Sequence, residues 1–331
     1  MTGPAGTARA ARTARTARTA IPPPGGHGGD GARVAAALGL APGEVLDLSA
    51  SLNPVAPPVT RVVRRHLESL GRYPDTTRAT AALAEVLDVA PQRVVLTNGG
   101  AEAIALVAAE LGRGRVDDPD FSLYRRHLAA VSPDAPRFRS NPHNPTGVLA
   151  PAVESAAVWD EAFYPLATGH WTRGDADGGA IVVGSLTKLF ACPGLRVGFV
   201  LAPDDGASWA RRVRDRQPQW SVNSLAAASL PELLAGADLT SWARAVEGLR
   251  SELVEVLRCH GFVAGPSDAN FVLVPDARGL REGLAGQGVV VRDCTSFGLP
   301  DHVRIAVPSA DGLSKLAGAL ALAGPEPRAR A

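Results

Sequence analysis

The 331-residue sequence predicts an α/β protein with a mostly parallel central sheet flanked by helices and a smaller α+β domain at the C-terminus. The first observation is that short apolar runs alternate with longer helical segments between residues 76 and 259. The second is that three further apolar runs, separated by helical segments, follow Gly261 and the Gly265-Pro266 turn. With 46% hydrophobic and 20% charged residues, the chain can bury the core of one or two domains.

The individual elements follow from length, apolar period and flanking turn residues. Short apolar runs predict strands at 94–97, 157–159, 181–184, 197–201, 270–274, 289–292 and 303–307. Longer segments with helical periodicity predict helices at 76–87, 101–111, 124–131, 207–216, 225–234, 240–259 and 310–322.

The same pattern predicts the domain organisation. Residues 1–24 carry Thr-Ala-Arg repeats and a Pro run, which is typical of a disordered tail, and 324–331 is predicted to be disordered as well. A transit peptide would share the N-terminal composition, but the segment lacks the apolar core of a secretory signal. Between the tails we expect an N-terminal segment packing with the small domain (25–54), a large domain (55–235) and a small domain (236–323).

Composition narrows the classes of partner. The formal net charge of +1 gives no electrostatic footprint for nucleic acid. No apolar run reaches the ~18 residues that would cross a membrane. The three cysteines are scattered and form neither a disulfide framework nor a metal-binding spacing, so no metal site is predicted. We therefore expect a cytoplasmic protein that acts on a small molecule.

The segment from Gly184 to Gly198 carries the most chemistry. Lys188 follows a predicted apolar strand, where desolvation disfavours the ammonium form. A neutral lysine is a nucleophile toward a carbonyl cofactor. Ser185 and Arg196 supply a hydroxyl donor and a fixed cation, which suit a phosphate. The segment therefore predicts an anchor for pyridoxal 5'-phosphate (PLP), although a surface lysine with a strand-end arginine is the plain structural alternative.

This segment resembles the lysine signature of class I/II aminotransferases, the fold-type I PLP enzymes. The sequence Asn141-Pro-His-Asn-Pro-Thr-Gly147 is similar to a second motif of that family. The resemblance implies the PLP-dependent transferase fold and a homodimer with shared active sites. It runs in motif order from about His27 to Leu322.

The resemblance also assigns cofactor contacts residue by residue. It implies that the backbone at Gly100 and Ala101 binds the PLP phosphate, which agrees with a turn that opens a helix. It places Phe121 on the face of the pyridine ring, Asn144 at the phenolic O3', and Asp160 at the pyridinium nitrogen. It adds Ser185, Lys188 and Arg196 to the same site, and Tyr73 as the residue that reaches the phosphate in the neighbouring subunit.

Substrate contacts are implied in the same way. Arg304 corresponds to the arginine that clamps a substrate α-carboxylate, and a guanidinium binds a carboxylate bidentately. Arg292 adds a second cation, so two anionic ends on the substrate are expected, as in a phosphorylated amino acid. His27 and Asn53 lie in segments that resemble the substrate-binding entry of one group within the family.

That group is the threonine-phosphate decarboxylases of cobalamin biosynthesis, which are lyases. The sequence 219–223, which contains Trp220, resembles it, as does Phe163, where most aminotransferases have a tyrosine. Ser51 departs from the asparagine common in that group. The sequence thus predicts decarboxylation of L-threonine O-3-phosphate to aminopropanol phosphate. A transferase of the histidinol-phosphate aminotransferase type is the alternative.

Two connections are shorter than the family pattern. Only 16 residues lie between Tyr124 and Asn141, and 12 between Gly147 and Asp160. The resemblance implies a strand and fuller helices in these places, and a parallel crossover usually needs a dozen or more residues. The sequence therefore indicates a trimmed large domain. A third hypothesis follows, in which the chain is a dimeric homologue without catalytic activity.

Overall fold

The computed structural model describes residues 20–204 and 206–323. Residues 1–19 and 324–331, in the two predicted tails, lie outside the described residues. Residues 20–24, which the prediction assigned to the N-terminal tail, are held by the body of the protein. Arg281 Nη2 donates to the Pro22 carbonyl (2.9 Å), and Arg33 Nη2 donates to the Pro23 carbonyl (3.3 Å). The remaining domain boundaries stay predictions.

Twelve strands lie within the described ranges: β1 Leu46–Asp47, β2 Val94–Thr97, β3 Arg113–Val116, β4 Ala130–Val131, β5 Arg137–Ser140, β6 Val158–Asp160, β7 Ile181–Ser185, β8 Gly198–Leu201, β9 Phe271–Val274, β10 Val289–Val290, β11 Arg292–Asp293 and β12 Val303–Ala306. All seven predicted strands are present within a residue or two, and the run at 289–292 is divided into β10 and β11.

The same ranges contain twelve helices: α1 Gly31–Leu38, α2 Thr60–Arg65, α3 Thr77–Leu87, α4 Gly99–Leu111, α5 Leu123–His127, α6 Tyr164–Thr168, α7 Leu186–Leu189, α8 Ala207–Arg216, α9 Ser224–Ala235, α10 Leu239–Cys259, α11 Leu280–Ala285 and α12 Ala310–Ala323. None of these described helices has the length and apolarity that crossing a membrane requires.

The larger sheet has the strand order β2-β8-β7-β6-β5-β3-β4 within the described chain. Strand β8 runs antiparallel to β2 and β7, and the other pairs are parallel. The predicted α/β class is therefore confirmed. Because the carboxyl ends of β5, β6 and β7 meet at one edge, the residues that follow these strands converge there.

Apolar side chains pack on both faces of this sheet. Helices α3 and α9 and the first turns of α10 cover one face through residues such as Leu83, Leu230 and Trp242. Helix α4 covers the other face and packs Ile104 and Val107 against Val95 and other strand residues. The central strands are buried on both faces and read as continuous apolar runs, which is the pattern of a covered parallel sheet.

A second sheet, ordered β11-β12-β9 and antiparallel throughout, forms the C-terminal unit. Helices α10 and α12 bury Leu253, Leu257 and Leu316 against it. Strand β1 joins the same unit by pairing in parallel with β10. The N-terminal segment thus packs with the C-terminal strands, and the chain between Leu48 and Val55 passes from there to the larger sheet.

The first short connection differs from expectation. A helix over 124–131 is wrong, because α5 ends at His127 and Ala130–Val131 forms the edge strand β4. Gly112 and Gly114 carbonyls accept hydrogen bonds from Ala129 N (2.9 Å) and Ser132 N (3.0 Å). The strand that the sequence indicated as lost is therefore present, reduced to two residues.

The second short connection matches the prediction of a missing helix. Residues 148–157, between β5 and β6, contain no helix in the described chain. Arg173 Nη2 donates to the carbonyls of Pro151 (3.2 Å), Ala152 (2.9 Å) and Glu154 (3.0 Å). These bonds to Arg173 supply part of the carbonyl pairing that a helix would provide internally.

Candidate active site

The N-terminus of α4 forms one wall of the site. Gly99 has a φ of +76°, and a Cβ there would lie 2.9 Å from Arg196 Cζ. A Cβ on Gly198 of β8 would lie 2.6 Å from Gly99 C and 2.7 Å from Gly100 N. The two glycines therefore let the first turn of α4 close against the sheet and against a guanidinium. Free N–H groups at a helix N-terminus and an adjacent cation bind an anion.

Two further predicted residues complete this wall. Ser185 ends β7, and a Cβ on Gly100 would lie 3.1 Å from Ser185 Cβ, so the two residues are neighbours. Ser185 Oγ lies 2.8 Å from Thr187 Oγ1. Arg196 Nη1 donates to the Pro193 carbonyl (3.2 Å) and holds the guanidinium in place. Ala101 occupies the first turn of α4, as predicted. The structure therefore brings Gly100, Ala101, Ser185 and Arg196 together.

Lys188 lies on α7, the single helical turn that follows β7. Its Nζ donates to the Ala50 carbonyl (2.8 Å). Burial, together with the cations Arg304 and Arg196, lowers the pKa of Lys188 to about 8, while Asp47 and Asp160 oppose the shift. At pH 7, about 10% of the molecules therefore carry Lys188 as a neutral amine. The neutral amine is the form that attacks a carbonyl group.

The segment after β1 covers the lysine. Asn53 N donates to the Lys188 carbonyl (3.0 Å), and Asn53 Nδ2 donates to the Leu189 carbonyl (2.9 Å). Asn53 Oδ1 accepts from Val55 N (3.0 Å). Asn53, the predicted substrate contact, thus directs its donors to the backbone of α7. It fixes the helical turn that carries the lysine.

Asp160 ends β6 on the opposite side of the site. Its Oδ2 accepts from Tyr124 Oη (2.8 Å) and its Oδ1 from Ala162 N (3.0 Å). Burial raises the pKa of Asp160, whereas the Tyr124 hydrogen bond and the Lys188 charge lower it. A cation placed against a buried carboxylate stabilises its charged form. Such a cation is what a protonated ring nitrogen provides.

Arg304 and Asn144 meet beyond Asp160. Arg304 Nη1 donates to Asn144 Oδ1 (2.5 Å), and its Nε has no hydrogen-bond partner among the described residues. The guanidinium lies 4.5 Å from the Phe271 ring and 6.0 Å from the Phe163 ring. Burial lowers the pKa of Arg304 to about 10. A buried guanidinium that lies beside two aromatic rings and keeps a free Nε donor is a binding group for a carboxylate.

His27 and Phe121 lie at the mouth of the site. Their ring centroids are 5.6 Å apart in an edge-on arrangement, and Phe121 also meets Tyr124 edge-on at 5.9 Å. Burial lowers the pKa of His27, and Arg292 and Arg126 act in the same direction. The basic groups therefore surround one opening, which favours an anionic ligand there.

Arg292 does not point freely into this opening. Its Nη1 donates to the Gly25 carbonyl (3.0 Å), and its Nη2 donates to the Gly26 carbonyl (2.7 Å) and to Ser296 Oγ (2.7 Å). These bonds hold the glycine-rich segment that carries His27. Arg292 is thus placed beside the site with most of its donors on protein oxygens.

Tyr73 lies apart from the other predicted residues. Its side chain is 77% exposed, and its ring stacks on Trp220, which is 58% exposed, at 4.5 Å between centroids. Within one chain the structure does not bring Tyr73 to Lys188. The predicted role across a subunit interface therefore stays a prediction.

Three polar residues of this region were missed from the sequence. Tyr124 is signalled only by its position one helical turn after Phe121. Glu102 is signalled as an acidic residue in the first turn of α4, where its Oε2 accepts from Asn98 N (2.6 Å) and its carboxylate accepts from Ser221 Oγ (2.5 Å). Asp120, which is buried behind Phe121, carries no sequence signal of its own.

The fold and this arrangement define a class of protein: an α/β enzyme with a reactive lysine and an anion cup at the edge of a mostly parallel sheet. Residues 138–320 match the family model described as aminotransferase class I and II. The chain belongs to the class I and II aminotransferase family.

Similar proteins agree with this assignment. The chain is 30% identical to the threonine-phosphate decarboxylase of Salmonella typhimurium, over 89% of this chain and 95% of that protein. It is also 30% identical to the histidinol-phosphate aminotransferase of Halorubrum lacusprofundi, over 84% and 89%. The structure of a histidinol-phosphate aminotransferase from Sinorhizobium meliloti in complex with pyridoxal-5'-phosphate has the same fold, with a TM-score of 0.70 and 19% identity over 82% and 88%.

The family depends on PLP, and the residues present fit that cofactor. The cup that Gly99 and Gly198 leave open has N–H donors, a hydroxyl and a guanidinium, which match a phosphate. Lys188 offers an amine with a lowered pKa, and Asp160 offers a buried carboxylate for a cationic ring nitrogen. The donor set therefore supports the predicted cofactor.

Proposed function

We propose that this protein decarboxylates L-threonine O-3-phosphate to aminopropanol phosphate, a lyase reaction of cobalamin biosynthesis. The observation that carries the proposal is the surrounding of Arg304. Its guanidinium is buried against Phe271, with Phe163 next to that ring, and has an unpartnered Nε. A substrate carboxylate paired there loses its hydration, and when its bond to Cα breaks, neutral CO2 leaves while the electron pair stays with Cα, where a proton replaces the carboxylate.

We assign the cofactor contacts as the resemblance implies. Gly100, Ala101, Ser185 and Arg196 would hold the PLP phosphate, Phe121 would cover the ring, Asn144 would bind O3' and Asp160 the ring nitrogen. When bound, PLP supplies an electron sink for the bond that breaks at the substrate Cα. Phe163 brings no hydroxyl to O3', which distinguishes this site from that of most aminotransferases.

The residues of the chain then divide the work on the substrate. Arg304 binds and orients the α-carboxylate. His27, with Arg292 beside it, faces the phosphate end of the substrate. The pKa of Lys188, about 8, is close to neutral pH, so the lysine can hold a proton at Nζ and donate it to Cα after CO2 has left.

A second candidate is transamination of the histidinol-phosphate type. It is supported by the Halorubrum lacusprofundi relative, which is as similar in identity as the decarboxylase. The same lysine, acting as a base at Cα, would serve this reaction. Because histidinol phosphate carries no α-carboxylate, Arg304 would then bind a carboxylate of the 2-oxoglutarate co-substrate, and the bond that breaks at Cα is the one to hydrogen.

One experiment separates the candidates. The PLP-loaded protein is incubated with L-threonine O-3-phosphate, and separately with histidinol phosphate and 2-oxoglutarate. We expect CO2 release in the first mixture and no glutamate in the second. Glutamate from the second mixture, with no CO2 from the first, would assign the transferase instead. If neither substrate is consumed and no visible absorbance band of bound PLP develops, the result would favour the third hypothesis, in which the chain is a homologue without catalytic activity.

A further inference from the structure

Asp120 is a buried carboxylate that the proposed reaction does not use. It is 5% exposed and lies between β3 and α5, directly before Phe121. Three donors converge on it: Ser140 Oγ (2.6 Å) and Phe121 N (2.7 Å) on Oδ1, and Ser140 N (3.3 Å) on Oδ2. Burying a carboxylate is costly unless such donors compensate it. An aliphatic residue of similar volume would fill the same space without that cost.

The contacts of Ser140 show what the carboxylate does locally. A hydroxyl has one hydrogen and two lone pairs. Asp120 takes the hydrogen of Ser140 Oγ, so a lone pair of that oxygen is directed at Asn144 N, which donates to it at 2.8 Å. The backbone of Asn144 is thereby fixed, and Asn144 Oδ1 in turn accepts from Arg304.

The same carboxylate also fixes the other wall. Its bond to Phe121 N holds the backbone of the residue whose ring faces His27 at the mouth. Asp120 therefore contacts neither the lysine nor the phosphate cup, yet it links the mouth of the site to the guanidinium.

We propose that Asp120 is a positioning residue that acts through Ser140 and Asn144 to orient Arg304 for the α-carboxylate of the substrate. This inference rests on the proposed function, since it takes a carboxylate-bearing substrate as the ligand of Arg304. Burial raises the pKa of Asp120 to about 7, whereas its three hydrogen-bond donors and the charge of Arg139 oppose that shift.

The test compares two ligands that differ in the carboxylate alone. Stopped-flow spectral titration of the PLP-loaded protein gives dissociation constants for L-threonine O-3-phosphate, from the change that precedes turnover, and for aminopropanol phosphate. We expect Asp120→Asn to weaken binding of threonine phosphate by about tenfold, the loss of one buried hydrogen-bond arrangement. Binding of aminopropanol phosphate should change by less than about twofold, because that ligand has no group for Arg304.

Asp118→Asn is the matched control. Asp118 lies on the same connection, but its carboxylate is exposed and pairs with Arg125 (2.8 Å), away from the site. This variant should bind both ligands like the wild type. Equal weakening of both ligands by Asp120→Asn would reduce Asp120 to a structural residue and overturn the proposal.

Ser140→Ala interrupts the same chain without removing the carboxylate, so it carries the test should Asp120→Asn fail to fold. It should show the same selective loss, and the double variant should lose no more than the single ones, since coupled residues are not additive. Additive losses would overturn the proposal. A wild-type protein that binds threonine phosphate but releases no CO2 would overturn the decarboxylase alone, since the ligand comparison is made before any bond breaks.

Discussion

At the scale of single residues, the site is governed by Lys188 and the two cations near it. The lysine is buried, and Arg304 and Arg196 both disfavour its ammonium form, while Asp47 and Asp160 only partly compensate. The pKa of about 8 therefore results from burial and from the opposing charges of these four neighbours. A lysine in water, with a pKa near 10.4, would be almost fully protonated at a pH of about 8.

The first prediction concerns the pH dependence of PLP capture. Only the neutral amine attacks the carbonyl group, so the capture rate should rise with pH through about 8 and level off above about 9. The rate is measured from the visible absorbance band that develops when PLP is added to the cofactor-free protein. A rate that keeps rising up to pH 10 would show an ordinary, solvated lysine.

Arg304→Gln tests the cause of that pKa. Removal of the buried cation should move the midpoint of the pH profile upward, because one repulsive charge near the ammonium is lost. Arg278→Gln is the control, since Arg278 is an exposed arginine that pairs with Asp301 in the C-terminal unit. An unchanged midpoint in Arg304→Gln would mean that burial and Arg196, without Arg304, lower the pKa.

At the scale of elements, α4 shows how a helix is fitted to a ligand. Its first residue, Gly99, takes a positive φ and leaves space for Arg196, and its last turn is followed by Gly112, whose φ is +69°. A Cβ at Gly112 would meet no atom within 4 Å. Both glycines have a positive φ, but they differ in what surrounds them.

The second prediction uses that difference. Gly99→Ala should weaken PLP binding by at least about tenfold, because the new Cβ displaces the Arg196 guanidinium and a charge-assisted contact to phosphate is lost. Gly112→Ala should bind PLP normally. Both changes place alanine at a positive φ, so both should lower the free energy of unfolding by about 1–2 kcal/mol. PLP affinity is measured by absorbance titration, and stability by chemical denaturation; equal PLP affinities in the two variants would contradict the prediction.

The elements also show what the sequence could predict. Strands with continuous apolar residues, such as β2, β7 and β8, were predicted because burial on both faces leaves an unambiguous pattern. Strands β3 and β5 were missed because Arg113, Arg115, Arg137 and Arg139 interrupt them. Arg115 and Arg137 pair with Asp117, and Arg137 and Arg139 pair with Glu154, partners that lie outside these strands.

The candidate site follows the same division. The residues around the lysine and the phosphate cup were assigned through the resemblance to the aminotransferase family, and the structure places them near the ends of β2, β7 and β8. The sequence could not predict that Asn53 donates to a carbonyl of α7, or that Arg292 donates to carbonyls of the glycine-rich segment. Both depend on which backbone oxygens come within reach after the N-terminal segment has folded onto the C-terminal strands.

At the scale of the whole molecule, the exposed aromatic pair marks a surface that one chain leaves open. Tyr73 and Trp220 stack on each other, and Leu67 and Leu70, close in sequence to Tyr73, are also exposed. Several exposed large apolar side chains of this kind are typical of a protein–protein interface. We infer that a second copy covers it, and that Tyr73 of each chain serves the phosphate cup of the other.

The third prediction tests this sharing directly. Lys188→Ala and Tyr73→Phe should each abolish or strongly reduce activity as homodimers, whereas mixing the two variants after reversible dissociation should restore it. In a mixed dimer, one site receives Lys188 from one chain and Tyr73 from the other, so it is intact. Half of the random dimers are mixed and each has one good site of two, so activity should recover to about a quarter of the wild-type value.

A control and a contrary result make the test decisive. Lys188→Ala mixed with Asp160→Ala should recover activity only if those residues act from different chains, and the structure places both on one side of a single chain's sheet. That mixture should stay inactive, because its only intact Lys188 lies in the chain that lacks Asp160. Equal recovery in both mixtures, or none in the Tyr73 mixture, would show that Tyr73 does not act across an interface. Recovery confined to the Tyr73 mixture would make the dimer, rather than the single chain, the unit that contains a complete site.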